Sequence, residues 1–250
     1  MQVDPPVIAV LVVLFLATLV RSSFGFGEAL VAVPLLALLI PVEMAAPLVA
    51  IVSVTVAGMV LLQDWSHVHI GSVWRLVLPT FLGIPFGLLL LTRVPEPVVK
   101  GLLGGIILLF SSYSLVKVSR NVLRDDRHAW IFGFFAGILG GAYGMNGPPL
   151  VIYGALKGWT PGHFRATLQG YFFPASLAIV GGYWMAGLWS PAITRLYVGS
   201  IPVLLVAVLI GRYLNRRLDA GRFLIYVHCG LILIAILLLA QAVGLMGRPL

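Results

Sequence analysis

Arg21 and Glu28 stand seven positions apart inside an apolar run, with Ser22, Gly25 and Gly27 between them. Residues 21–34 read Arg-Ser-Ser-Phe-Gly-Phe-Gly-Glu-Ala-Leu-Val-Ala-Val-Pro, and apolar sequence flanks them at 6–20 and 29–40. A guanidinium offers a planar fork of donors that suits a carboxylate, a sulfonate or sulfite. A carboxylate in the same stretch can pair with that cation or take up a proton. These residues are costly in lipid: an arginine or acid at the bilayer centre costs at least ~2.5 kcal/mol, and a helical glycine about 1 kcal/mol. Non-helical backbone at membrane depth survives only where protein buries it or where it lines a cavity. The stretch is therefore read as a broken helix whose break faces a polar cavity. The alternative for Arg21 is snorkelling to the interface.

A second stretch has the same character. Residues 140–150 read Gly-Gly-Ala-Tyr-Gly-Met-Asn-Gly-Pro-Pro-Leu, again between apolar flanks. Gly144 follows Gly25 by 119 positions. A helix that starts at such a break exposes backbone N–H groups and a partial positive charge, which together make an anion site. Residues 27–30 and 147–150 are the expected helix starts, and prolines at 148 and 149 suit a first turn. Gly147 and Gly27 let an anion approach backbone, and Asn146 can donate to it. Further along, Arg165 and Gln169 share a helical face one turn apart. For Arg165, binding and snorkelling are equal alternatives. For the glycines, close helix packing through small residues is the alternative.

Catalytic signatures are missing from the sequence. There is no His-Glu-x-x-His, no Walker loop and no Cys/His ligand cluster. Ser22, Ser23 and Ser53 lack a His/Asp set. His67-Val68-His69 lies beside Asp64 and could be a metal pair, but a solvated loop is the default reading. His228 beside Cys229 is expected to pack in an apolar helix. A single cysteine excludes an intrachain disulfide. No cofactor or metal is expected, and the chain is read as no enzyme.

Composition sets the elements that must position these residues. Of 250 residues, 60% are hydrophobic and 10% charged, with a mean hydropathy of +1.07. Soluble domains carry about 25% charged residues, so this is an all-α polytopic membrane protein with the bilayer as partner. The formal charge of +8 is assigned to topogenic Lys and Arg, with no nucleic acid implied. Trp65, Trp74, Trp159, Trp184 and Trp189 are read as interfacial anchors. The first apolar run is expected to stay in the protein, because no basic region precedes it.

Ten apolar segments are predicted: 6–20, 28–40, 44–63, 72–92, 97–117, 129–140, 148–157, 162–186, 191–214 and 221–244. A crossing needs ~20 residues, so the first two of each five are short spans or re-entrant hairpins. With the N-terminus outside, inside loops hold 12 of the 16 basic residues, all but Arg93, Lys100, Arg195 and Arg248. Loops 117–128 and 212–222 then both face the cytoplasm, and both termini lie outside. Five segments per half is odd, which predicts two inverted-topology repeats, a device of secondary transporters. Pro79, Pro85 and Gly87 find analogues in Pro202 and Gly211. The expected division is 1–118, a linker at 119–128, and 129–250.

On Gly25-Phe26-Gly27 with Val33-Pro34, and on Gly144-Met145-Asn146-Gly147-Pro148-Pro149 with Arg165-Ala166-Thr167, the chain resembles the TauE/SafE sulfite-exporter family of bacterial permeases. The likeness spans about residues 8–245. It implies a multi-pass protein of the bacterial inner membrane that transports small sulfur-containing or organic anions such as sulfite, sulfonates or thiosulfate-like species. Family members often carry a longer glycine run at the first break, where this chain has Glu28. An acid there means proton coupling or a different substrate. A passive anion channel and, third, a membrane-embedded enzyme or scaffold are the competing readings. Substrate, direction and a homo-oligomeric state are left open by the sequence.

Overall fold

The protein is described by a computed structural model over residues 7–64, 70–116, 123, 125–215 and 220–244. Among the described residues it is all helical. The first half contains α1 (Val7–Phe24), α2 (Glu28–Ala37), α3 (Val42–Asp64), α4 (Ile70–Arg93) and α5 (Glu96–Leu115). A 3-10 turn at Asp126–His128 leads to α6 (Ala129–Tyr143), α7 (Gly147–Leu156), α8 (Pro161–Met185), α9 (Pro191–Asn215) and α10 (Ala220–Ala242). His67, His69 and the basic residues at 117–122, 124 and 216–219 lie outside the described residues, as do the side chains of Arg165 and Gln169.

The helices are those of a multi-pass membrane protein. Val7–Phe24, Val42–Met59, Val73–Arg93, Glu96–Leu115 and Pro191–Leu214 are each long and apolar enough to cross a bilayer. Large apolar side chains such as Leu82, Phe86, Leu109, Leu209 and Leu233 are exposed, while Thr18, Ser53, Thr80, Thr167 and Ser200 are buried. That distribution suits lipid outside, with polar side chains kept within the protein.

One expectation needs correction. The first segment does not stop at Val20; α1 continues through Arg21-Ser22-Ser23 to Phe24 and reaches 18 residues. Helical hydrogen bonding carries on to Gly25, the first residue after Val20 that can take left-handed geometry at little cost, and it sits at φ 87°. Arg21 is therefore in the last turn of a helix and not in a loop. The second segments are short as expected: α2 and α7 have 10 residues each, about 15 Å at the α-helical rise.

Helix pairing interlocks the two halves. α1 packs on α9, α6 on α4, α3 on α8, and α5 on α10. The α4–α6 crossing runs through Gly83 and Gly87 against Gly137 and Gly141, where an added Cβ would strike backbone of the facing helix. Small residues four apart on both partners permit that approach. Gly211 on α9 likewise faces Leu19 and Ser22 on α1. Along α5 and α10, Gly101 faces Ala242, Gly104 faces Ala235 and Leu239, and Phe110 meets His228. Rising numbers on one helix meet falling numbers on the other, so α5 and α10 are antiparallel.

Candidate functional site

Two interruptions of helical hydrogen bonding shape the site. The Gly25 N–H still donates to the Arg21 carbonyl at 2.6 Å, and the Gly144 N–H to the Gly140 carbonyl at 2.7 Å. Each helix then ends on a left-handed glycine, with φ 87° at Gly25 and 63° at Gly144. Gly27 is a third left-handed position, at φ 98°, and caps α2. The chain turns back at once, so that Glu28, the first residue of α2, lies beside Thr18 and Arg21 of α1.

Glu28 sits at the centre of a buried polar cluster. Arg21 Nη1 donates to Glu28 Oε2 at 2.5 Å, Ser53 Oγ to the same oxygen at 2.8 Å, and Thr18 Oγ1 to Oε1 at 2.9 Å. Arg21 Nη1 also reaches the Ser53 carbonyl at 3.3 Å. Arg21 and Glu28 are 3% and 2% exposed, so snorkelling is not what Arg21 does. An unpaired charge here would cost several kcal/mol; each of these two neutralises the other. The Phe172 ring of α8 covers the guanidinium, with its centroid 5.1 Å from Cζ.

Half of the guanidinium remains uncommitted. Arg21 Nε and Nη2 are buried and have no hydrogen-bond partner among the described residues. Those two N–H groups form the side-on edge of the fork, the edge that takes two oxygens of one oxyanion. Asn146 is likewise buried, 5% exposed, and its Nδ2 also lacks a partner among the described residues. Asn146 precedes α7 as its N-cap residue, yet its side chain makes no capping bond. Buried polar groups are normally paired, so these three donors mark a place for an acceptor.

Arg21, Gly27, Glu28, Ser53, Asn146, Gly147 and Pro148 line one small cavity, together with the apolar side chains of Phe26, Phe110, Met145 and Phe172. The beginnings of α2 and α7 both open into it. At α2 the orphan donors are backbone N–H groups, and Ala29 and Leu30 join the lining. At α7, Pro148 and Pro149 carry no N–H, which leaves Asn146 and Gly147 as the donors of that end. The cavity has about 20 Å³ of room for the centre of a water-sized sphere, enough for one water and tight for an oxyanion.

Of the residues singled out from sequence, Arg21, Gly27, Glu28, Asn146 and Gly147 come together here. Ser22, Gly25 and Gly144 do not line the cavity: Ser22 packs on Gly211, Gly25 turns the chain, and Gly144 abuts the Ala46 carbonyl. Arg165 and Gln169 belong to α8 by backbone. Thr18, Ser53, Phe26, Phe110 and Phe172 were not expected. Thr18 and Ser53 carry little signal inside helices, and only their distance to Glu28 identifies them. Trp159 is also more than an interfacial anchor, since its ring meets Tyr153, His163 and Phe164 edge-on. Among the described residues no group of three or more His, Cys, Asp or Glu side chains converges.

Known proteins resemble this chain along most of its length. The family described as "Sulfite exporter TauE/SafE" matches residues 10–238. A "Probable sulfite/organosulfonate exporter TauE" from Cupriavidus necator is 26% identical over 200 residues, covering 76% of each chain. No solved structure matches. The family match takes in both breaks, the helices that pair across the halves and every residue lining the cavity, and on that extent the chain belongs to the sulfite exporter TauE/SafE family.

Proposed function

We propose that this protein is a secondary transporter of small anions and that the anion sits between the two breaks. The observation that carries this reading is the uncommitted Nε and Nη2 of buried Arg21, a residue that lines one cavity with Asn146, whose Nδ2 is also unpartnered. Two helix starts add partial positive charge at the same place. The rings of Phe26, Phe110 and Phe172 line the same cavity and lower the local dielectric, which strengthens each polar contact. The substrate class that fits is a sulfur oxyanion or a small organic anion, in keeping with the exporter name of the relative from Cupriavidus necator.

The transport mode proposed is alternating access across an inverted repeat in a bacterial inner membrane, with both termini outside the cytoplasm. Support comes from the pairing of helices. If α1–α5 and α6–α10 are equivalent, α5 and α10 are counterparts, and they run antiparallel. Counterparts related by an axis in the membrane plane must do so; an axis along the normal would make them parallel. Glu28 is the group we assign to proton coupling.

Purified protein in liposomes tests the proposal against a panel of sulfite, methanesulfonate and thiosulfate. Saturable uptake above protein-free liposomes is expected. Flux that rises linearly without saturation would favour the channel reading, and no anion flux at all would overturn transport.

A further inference from the structure

We infer that Glu28 sets the valence of the anion this cavity accepts: a monoanion binds beside the intact Arg21–Glu28 pair, and a dianion enters only with a proton on Glu28. The inference rests on the anion-transport reading above and adds a charge rule to it. The starting point is that, among the described side chains, one cation serves both Glu28 and the anion. Arg21 gives Nη1 to Glu28 and keeps Nε and Nη2 for a ligand, so the substrate need not displace the carboxylate.

Charge counting around Glu28 follows from what each neighbouring helix presents. α1 brings Thr18 and Arg21, and α3 brings Ser53. α7 contributes the neutral Asn146, Gly147 and Pro148, while α5 and α8 contribute Phe110 and Phe172. From α10, His228 meets the Phe110 ring at 5.7 Å between centroids and does not itself line the cavity. The Arg165 and Gln169 side chains of α8 lie outside the described residues. Among the described side chains, Arg21 and Glu28 therefore cancel. The starts of α2 and α7 bring partial positive charge and the ends of α1 and α6 partial negative charge to the same two breaks, so a monoanion meets the unpartnered Arg21 and Asn146 donors rather than a net positive charge. A dianion would bring a second negative charge that these donors do not offset, beside the rings of Phe26, Phe110 and Phe172.

A proton on Glu28 removes that excess without orphaning any group. The carboxylate oxygen that gains the proton becomes an O–H donor, and the Ser53 hydroxyl, which donates to it now, can turn and accept. Arg21 Nη1 is then released toward the anion, and the proton leaves again when the anion does. Ser53 and Thr18 can serve both states because hydroxyls donate and accept; backbone N–H donors in their place could serve only the charged one.

The test uses intact protein in voltage-clamped liposomes with a pH dye inside. Methanesulfonate is a fixed monoanion and thiosulfate a fixed dianion near neutral pH, so neither carries a titrating proton of its own. Wild-type protein is expected to acidify the lumen by one proton per thiosulfate and by none per methanesulfonate. Glu28→Gln is expected to move thiosulfate with no accompanying proton. Equal proton counts for the two anions would overturn the rule, as would proton-free thiosulfate uptake or its exclusion at every pH. The same holds if a folded Glu28→Gln protein retains the coupled proton. Because the wild-type counts decide alone, a variant that does not fold leaves the outcome intact. Failure to move either anion would instead remove the transport reading itself.

Discussion

Ser53 and Phe172 hold corresponding places in α3 and α8, 119 positions apart, and both line the cavity between the breaks. The same offset relates the ends of α1 and α6, Phe24 and Tyr143, and the starts of α2 and α7, Glu28 and Gly147. Where the first half has Arg21, Glu28 and Ser53, the second has Gly140, Gly147 and Phe172. Helix ends that match in offset thus carry different side chains in the two halves. The first half brings the ion pair; the second brings a neutral amide, space and a ring that covers the guanidinium.

Arg21→Ala should separate folding from binding. Removing one member of a buried pair leaves the other charge uncompensated, a loss of about 3–5 kcal/mol. The double variant Arg21→Ala/Glu28→Gln should recover most of that stability in thermal unfolding and still not take up anions. Arg21→Lys keeps the charge without the side-on fork. Losing one charge-assisted hydrogen bond at ~1.5–3 kcal/mol should raise the half-saturating anion concentration by about one to two decades. An unchanged half-saturation in Arg21→Lys would detach the fork from binding.

Gly147→Ala should act on transport alone. A Cβ at this position would come no closer than 3.8 Å, to Phe172 Cζ, so the fold accommodates a methyl group. That methyl would project at the start of α7, where an anion must approach backbone. Uptake is expected to fall at least about tenfold, which corresponds to ~1.4 kcal/mol, with an unchanged melting temperature. Gly147→Leu should abolish uptake at matched membrane abundance. Wild-type rates from either protein would place the anion elsewhere.

How far the sequence could be read depended on whether a residue breaks a local rule. Gly25, Gly27, Gly144 and Asn146 stand out because glycine and amide residues are out of place in an apolar segment, and the two breaks lie where those residues put them. Arg21 and Glu28 were visible for the same reason. Their pairing was one option among others, because the sequence gives no distance between an arginine at the end of α1 and an acid at the start of α2. Ser53 and Thr18 are legible only in three dimensions: a hydroxyl inside an apolar helix breaks no rule, since it can bond its own backbone. The end of α1 was misplaced because polarity at Arg21-Ser22-Ser23 looks like an interface, whereas helical geometry continues until glycine ends it.

The α4–α6 crossing predicts a different failure. Gly87→Ala or Gly137→Ala would push a methyl group into facing backbone, and backbone cannot yield as a flexible side chain can. Both proteins should be lost before any question of transport, seen as a reduced monodisperse fraction after detergent extraction. Gly181→Ala, with nothing within 4 Å of its Cβ, is the control and should behave as wild type. Normal folding of Gly137→Ala would show that the helices can separate without cost.

Sidedness is open to direct labelling. Cys229 is exposed on α10, so replacing it with alanine should cost little and give a cysteine-free background. Cysteines at Arg124 and Arg217, both outside the described residues, should resist a membrane-impermeant thiol reagent in intact cells. Both should react once the membrane is opened, because basic loops stay in the cytoplasm. Reaction of either one from outside would overturn the assignment of both termini to the outer face.

Asn146 permits the sharpest separation of charge from shape. Its side chain is nearly isosteric with aspartate, and it precedes α7 without capping it. Aspartate before a helix start is favourable for the helix, through capping and through the dipole. Burial of an unpaired carboxylate in the cavity of Glu28 outweighs that gain, so the melting temperature of Asn146→Asp should fall, and uptake is compared at matched amounts of folded protein. In the cavity the substitution would exchange an unpartnered donor for a second carboxylate close to Glu28. Anion uptake should fall by at least about a hundredfold, the equivalent of ~2.8 kcal/mol. Asn146→Ala only deletes the donor and should lose about tenfold, in the range of one hydrogen bond to a charged group. The order of the two variants is the decisive measurement. If Asn146→Asp transports anions as well as Asn146→Ala does, the amide does not face the substrate.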